Sequence, residues 1–197
     1  MNMMKRLGWL LVALPLVLPA RAEAQDWLWT VTYGPSLPTG DTKAFADDFS
    51  WRNIGLEGRK VVAENTTVGL AFGWNVFAQE TGELIDFDRI DISGTQFRYV
   101  NAFPMLLTLH RYFGKPDGIR PYLGAGIGTY FVEERLEIGV IALTADAWHF
   151  GLAPEGGLIV PVGWRARALL QAKYNWALEA NSIEHTYWTF NLGFVFQ

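Results

Sequence analysis

The sequence predicts an all-β protein, an eight-stranded antiparallel up-and-down transmembrane β-barrel. Three observations predict it: an export signal at the N-terminus, eight segments in which apolar residues alternate with small or polar ones, and connections that alternate between long and short. After the signal, no stretch reaches the roughly 18 apolar residues that indicate a membrane-spanning helix. We therefore expect strands to cross the membrane.

The composition fits a chain with a lipid-facing surface. Aromatic residues make up 15% of the chain, with nine Trp and thirteen Phe, and aromatic rings favour the two membrane–water interfaces. Cysteine is absent, which excludes cysteine catalysis and thiolate metal sites. The formal net charge of −4 gives no basic footprint for nucleic acid, so no nucleic-acid partner is expected.

Residues 1–24 are predicted to be a cleaved signal peptide, and residues 25–197 the barrel domain. Lys5 and Arg6 precede an apolar run over 7–20, and Ala22-Glu23-Ala24 supplies the small-x-small pattern read by signal peptidase. The alternative is a membrane anchor, but the run is shorter than the roughly 20 residues that a spanning helix needs. The protein is therefore expected in the bacterial outer membrane.

The eighth segment shows the strand alternation most clearly. Its large apolar side chains share one face, because successive side chains of a strand point to opposite sides: they are Trp188, Phe190, Leu192, Phe194 and Phe196. The first segment carries Trp27, Trp29, Val31 and Tyr33. The third, fifth, sixth and seventh begin their apolar faces at Val68, Leu123, Trp148 and Ala166. The second, from Trp51 to Val61, and the fourth, from Gln96 to Phe113, are less regular.

The opposite face carries glycines and charges, which predicts a polar lumen inside an apolar exterior. A soluble barrel would have the reverse arrangement. The candidate lumen ion-pair residues are Glu57, Arg59, Glu155 and Lys173. Eight strands leave an interior barely wide enough for side chains, so charges there must be paired. These residues would form a plug of ion pairs or, alternatively, a gate that rearranges to pass ions.

The connections predict the direction of the strands. Long polar stretches occur at 36–49, 79–95, 133–147 and 178–186, and short ones at 63–67, 114–118 and 162–164. This order gives four long outer loops and three short periplasmic turns, with both termini in the periplasm. Pro104 and Pro154 fall within the fourth and sixth strands, where we expect bulges because proline lacks a ladder donor.

Aromatic residues near the segment ends are candidates for the two interfacial belts. Those assigned to the loop ends are Trp51, Trp74, Trp148, Trp176 and Trp188, and those assigned to the turn ends are Trp27, Trp164 and Phe196.

The chain resembles uncharacterised bacterial outer-membrane β-barrel domain proteins and is loosely similar to eight-stranded barrels of the outer-membrane protein A and W type. The stretches that carry the likeness are Tyr33-Gly34-Pro35, Pro38 to Asp41, Phe72 to Phe77, Arg120 to Gly128 and Phe190 to Phe196. The resemblance implies recognition of the last strand by the barrel assembly machinery. That machinery favours a C-terminal aromatic residue, whereas here Gln197 follows Phe196.

Local motifs do not add a cofactor, a metal or a catalytic residue to the prediction. The glycines of 124–128 lie within a strand, which is the wrong context for a phosphate loop. The acidic stretch at 80–91 lacks the ordered pattern of a calcium-binding loop. The three histidines have no ligand spacing. Ser182, Glu184 and His185 have the residue types of a hydrolase, but only as local neighbours.

The predicted function is structural or surface-interacting, without catalysis. A narrow channel for ions or small solutes and a lipid A-modifying enzyme are the alternatives. The expected partners are outer-membrane lipids and lipopolysaccharide, with the barrel assembly machinery during biogenesis, and the protein is expected to be a monomer.

Overall fold

The structure is a computed structural model that describes residues 27–81, 85–87, 90–92, 96–115, 117–139, 141–162 and 166–196. The predicted signal peptide and Trp164 lie outside the described residues. The strands are β1 (Trp27–Thr39), β2 (Ser50–Ala63), β3 (Thr66–Thr81), β4 (Ile85–Phe87), β5 (Ile90–Ile92), β6 (Gln96–Tyr112), β7 (Arg120–Ile138), β8 (Ile141–Pro161), β9 (Ala166–Ala180) and β10 (Ile183–Phe196). A short helix, α1 (Gly40–Phe45), follows β1.

Eight of these strands form a closed antiparallel barrel in the order β1-β2-β3-β6-β7-β8-β9-β10. Strand β10 pairs with β1 and closes the ring, with Trp29 opposite Phe196 and Thr39 opposite Thr186. Strands β4 and β5 form a separate two-stranded hairpin. The predicted fold class, an eight-stranded up-and-down barrel, is confirmed.

Several polar stretches that were expected to be long loops are strands. Strands β7 and β8 continue through most of 133–147, and β9 and β10 meet at a two-residue turn within 178–186. That turn, Asn181-Ser182, has φ values of 53° and 65°. The expectation of long loops at these two places is wrong, because loss of apolar alternation marks the end of the apolar outer surface and not the end of the hydrogen-bonded ladder. Residues 36–39 belong to β1 and are followed by α1.

The two prolines do not produce the expected bulges. Register shifts occur instead at Gly34/Ser36, Val61/Ala63 and Ile183/His185. Pro104 and Pro154 both have regular partners in β7. Their other ladders, with β3 and β9, lack the pair at the proline and one adjacent pair, and resume in the same register. An antiparallel residue directs its N–H and C=O to one neighbour, so each proline interrupts one ladder only.

The faces of the barrel are inverted relative to a soluble protein. Outward side chains such as Leu70, Leu123 and Leu192 are more than half exposed, whereas the buried set is rich in Asn, Gln, Thr, His and charged residues. No helix in the described part of the chain is long and apolar enough to span a membrane.

Inside the barrel, polar side chains occupy the middle and apolar ones lie at both ends. The turn-end layer consists of Tyr112, Tyr122, Ile159, Leu169 and Val195, with Leu28 against it. The loop-end layer includes Phe77, Val100, Tyr130, Val132 and Tyr187, and Ala46 just after α1 packs into it. Glycines on facing strands make room for the large rings: a Cβ at Gly157 would lie 2.7 Å from Tyr122 Cε1, and one at Gly151 would lie 2.6 Å from Tyr130 Cε2.

Candidate functional site

The middle of the lumen holds five ionisable side chains, Glu57, Arg59, His110, Glu155 and Lys173, which we call the lumen cluster. They project from β2, β6, β8 and β9. Arg59 and His110 are fully buried, and Glu57 and Glu155 are 5% and 6% exposed. Each lies at an inward position of its strand, and the register brings them to one level: Glu155 pairs with Lys173, and Gly124 lies between Glu155 and His110.

Arg59 is held between a carboxylate and the tyrosines of the turn-end layer. Its Nη2 lies 2.7 Å from Glu57 Oε2, and its Nη1 donates to Tyr112 Oη at 3.1 Å. The guanidinium also lies 5.6 Å from the ring centre of Tyr122, a cation–π geometry. Thr108 donates to the other Glu57 oxygen at 2.6 Å. Both partners of this ion pair are therefore further hydrogen-bonded, as a buried pair requires.

Glu155 is the centre of the cluster. His110 Nε2 lies 2.7 Å from Oε1, and Lys173 Nζ lies 2.8 Å from Oε2. Arg59 Nη2 is 4.0 Å from Oε1, and Gln171 donates to the same oxygen at 2.9 Å. One carboxylate thus contacts three basic side chains and links β2, β6 and β9 to β8.

Neutral amides extend the cluster across the rest of the barrel. Gln171 Oε1 accepts from Asn191 at 2.7 Å, and Asn191 Oδ1 accepts from Asn53 at 2.6 Å. This chain runs from β9 through β10 to β2. It completes a polar belt around the lumen in which amide donors and acceptors alternate.

All four predicted lumen residues lie in the interior, and the structure joins Glu57 to Arg59 and Glu155 to Lys173. Sequence reasoning missed His110. The signal was present: Leu107, Leu109 and Arg111 point outward, which turns His110 inward. Gly124 lies directly opposite His110 in β7, and a Cβ there would collide with the imidazole ring. The glycine therefore creates the space that the histidine occupies.

The lumen around the cluster is nearly filled. Two interior cavities beside it have volumes of about 30 and 20 Å³, room for one or two water molecules each. One of them is lined by Glu57, Gln171 and Lys173. The turn-end layer lies on the turn side of the cluster, and the loop-end layer lies on its loop side.

The loop end of the lumen is covered by α1, which we call the mouth plug. Thr42 of this helix is fully buried, and its hydroxyl accepts from the Thr186 backbone N–H at 3.1 Å and shares a 3.2 Å hydrogen bond with His185 Nδ1. Asp41 accepts from the Glu184 backbone N–H at 3.1 Å. The plug is thus attached mainly to the start of β10.

Two histidines support the mouth plug from below. The rings of His149 and His185 meet edge to face with centroids 5.1 Å apart. His149 Nδ1 donates to Leu178 O at 2.9 Å, and Glu134 Oε1 lies 3.9 Å from His185 Nε2. Glu134 projects from the part of β7 that extends beyond the apolar outer band, and there burial and the nearby Asp41 carboxylate raise the pKa of its carboxyl group.

The hydrolase-type residues are not assembled. Ser182 lies exposed in the β9–β10 turn, while His185 points into the lumen and is engaged by Thr42. Among the residues that the structure describes, no group of three or more His, Cys, Asp or Glu side chains is arranged to hold a metal ion.

The candidate interfacial aromatics that the structure describes all project outward. Their exposed fractions range from 38% for Trp176 and Trp188 to 61% for Trp51. Several contact a neighbouring ring: Trp74 stacks on Phe103, and Trp148 packs against Phe131. Their depth in a bilayer remains a prediction.

Comparison with solved structures identifies the fold. Neisserial surface protein A (NspA) superposes with a TM-score of 0.55 at 11% identity, covering 86% of this chain and 96% of NspA. The N-terminal β-barrel domain of Pseudomonas aeruginosa OprF gives a TM-score of 0.51 at 17% identity, covering 87% and 96%. The fold is that of a bacterial outer-membrane β-barrel. No protein-family model matches the chain, and no curated protein matches it in sequence.

Proposed function

We propose that the protein is an integral outer-membrane barrel with a closed lumen, and that it acts through its outer surfaces in a structural or surface-interaction role without catalysis. The observation that carries this proposal is the filled interior, in which the lumen cluster is enclosed between two apolar layers. The apolar exterior and the fold shared with outer-membrane barrels support the membrane location. NspA, which shares the fold, is by name a surface protein.

A closed lumen follows from the energetics of the cluster. Opening a water path would require separating Glu155 from three basic partners and displacing the ring of Tyr122. Breaking a buried ion pair costs about 3–5 kcal/mol when one partner is left uncompensated. The resting protein is therefore a plugged barrel.

A narrow channel is the second candidate, and one observation favours it. Because Glu155 lies within 4.0 Å of Arg59, His110 and Lys173, the carboxylate can exchange partners without becoming unpaired. Such an exchange is the chemical basis of a gate. Lys173 is also the most exposed member of the cluster, with 13% of its side chain accessible.

Planar-bilayer recording on the refolded protein distinguishes the two functions. The plug predicts no discrete conductance steps in the wild type. The channel predicts steps that change in the double variant Glu155→Gln, Lys173→Met and stay unchanged in Lys115→Gln, a control at an exposed turn. Wild-type steps with this dependence would overturn the plug. A change of lipid A mass on overexpression would overturn the non-catalytic role.

The proposed partners follow from the surfaces. Outer-membrane lipids and lipopolysaccharide would cover the apolar band, and the outward aromatics of β10 suit recognition by the barrel assembly machinery. The monomeric state is part of the proposal, and cross-linking in vesicles tests it.

A further inference from the structure

The lipid-facing surface carries an open apolar groove toward the turn end, over β1, β2, β3 and β6. We call it the turn-end groove. Its walls include Trp29, Val62, Leu70 and Leu107, all about half exposed or more. Its volume is about 590 Å³, within the range of pockets that hold small-molecule ligands.

The groove exists because a glycine, Gly58, occupies an outward position that is surrounded by large side chains. Gly58 lies opposite Trp29 in β1 and opposite Leu70 in β3, at a position whose outward neighbour along the strand is Leu56. A Cβ at Gly58 would lie 3.1 Å from Trp29 Cζ3. The indole therefore leans over bare backbone and forms one wall of the groove.

One basic side chain lines this groove, and a second lies outside its lining toward the turn. Lys60 lines it, two residues from Gly58 on the same outward face. Across β3, exposed Arg111 donates to Thr66 Oγ1 at 2.9 Å and leaves its other donors available. No salt bridge involves either residue within the described ranges. Apolar walls around one unpaired basic group match the acyl chain and the phosphate of a lipid.

We propose that the turn-end groove binds an anionic phospholipid, with an acyl chain along Gly58 and the headgroup phosphate at Lys60. A zwitterionic lipid would fill the apolar part equally well and carries the same phosphate, but its ammonium group cancels the charge, so the net negative charge of the headgroup gives the selectivity. Phosphate groups in an outer membrane also belong to lipid A, in the opposite leaflet. We commit to the phospholipid because the groove lies at the end with short turns, which the proposed orientation places in the periplasm.

This inference rests on the proposed membrane location, and the two fail separately. Loss of the location would appear as failure to refold into vesicles with heat-modifiable migration. The lipid site is tested only on protein that has passed this criterion.

Native mass spectrometry of the refolded protein with equimolar phosphatidylglycerol and phosphatidylcholine of identical acyl chains measures the selectivity. We expect the wild type to retain phosphatidylglycerol about fivefold over phosphatidylcholine, the effect of one basic residue near a membrane surface. Lys60→Gln should bring the ratio close to unity, and Lys60→Arg should keep it. Gly58→Val should lower the retention of both lipids, because it fills the groove.

Lys115→Gln is the matched control, since it removes the same charge at the same end of the barrel but outside the groove. The proposal is overturned if the wild type retains both lipids equally, or if the selectivity survives Lys60→Gln. Displacement of phosphatidylglycerol by an equimolar amount of lipopolysaccharide would assign the groove to lipid A and overturn the phospholipid identity.

Discussion

The lumen cluster and the mouth plug are both buried polar regions, but they are built differently. The cluster consists of ionisable side chains on four strands, each fixed by the barrel ladder. The plug is one turn of helix on a connection, attached through Thr42 and Asp41 to the start of β10. The difference suggests that the cluster is coupled to global stability, whereas the plug opens locally.

The largest effect is expected from removing the central carboxylate. Glu155→Gln leaves Lys173 without its counter-charge and turns one acceptor oxygen into an N–H donor, so it should lower the free energy of unfolding by about 3–5 kcal/mol. Adding Lys173→Met should restore part of this loss, because the double variant has one charge fewer to compensate. Urea unfolding in vesicles measures both. If Lys173→Met restored stability in a Glu57→Gln background but not in the Glu155→Gln background, the assigned pairing of Lys173 with Glu155 would be contradicted.

A charge introduced on the outer face should hinder insertion, because it would have to be placed in the lipid. Leu170, which is 47% exposed on β9, lies three residues from inward Lys173. Leu170→Arg should cost about 2–4 kcal/mol near the bilayer midplane, and no lumen substitution should rescue it. Refolding yield into vesicles is the readout, with Leu170→Met as the control. Normal insertion of the arginine variant would mean that β9 has the opposite facing.

Gly124→Ala tests the space that admits His110. The new Cβ would meet the imidazole ring and would lie 2.9 Å from the Leu109 carbonyl oxygen. Overpacking of this kind costs about 1–3 kcal/mol. Ala125→Val, on the outward face of the same strand, is the control and should be close to neutral. Equal effects of the two substitutions on urea unfolding would argue against a tight lumen.

The mouth plug should respond locally. Thr42→Val removes the hydroxyl that accepts from the Thr186 N–H and contacts His185. We expect faster amide exchange over 40–46 and at Thr186, with a loss of about 1 kcal/mol or less in global stability. If exchange instead rises throughout the barrel, the plug is part of the cooperative unit.

The smallest effect concerns Glu134. Its raised pKa means that the folded mouth favours the protonated carboxyl, so its contribution to stability is lost as the pH rises through the raised pKa. Glu134→Gln should therefore raise the thermal midpoint slightly at pH 7, and the difference should disappear near pH 4. Glu137→Gln, on the same strand, is the control. If the difference in thermal midpoint between Glu134→Gln and the wild type instead grew toward pH 4, the pH dependence would have the opposite sign. A raised pKa of Glu134 would then be excluded as the explanation.

The sequence predicted those parts of the molecule that depend on strand alternation. The facing of Lys173 and Leu170 follows from period-two counting, and so does the interior position of Glu57. His110 obeys the same rule but lies in a segment whose apolar pattern is obscured by inward Tyr112 and Pro104. The mouth plug follows no such period: whether 40–45 folds back into the lumen depends on Thr42 meeting His185, 143 residues later in the chain.

Closure of the ring by β1 and β10 has a kinetic consequence. The strand that ends at Phe196 must find the strand that begins at Trp27, so the last ladder to form joins the two extremes of the described chain. Until it forms, the two edge strands carry backbone N–H and C=O groups without partners. Lipid tails cannot form hydrogen bonds with these groups. An open intermediate with eight strands and seven ladders is therefore unstable in the bilayer, and insertion and closure must occur together. Such non-local pairing is slow, so the step that joins β1 to β10 should limit the rate of spontaneous folding.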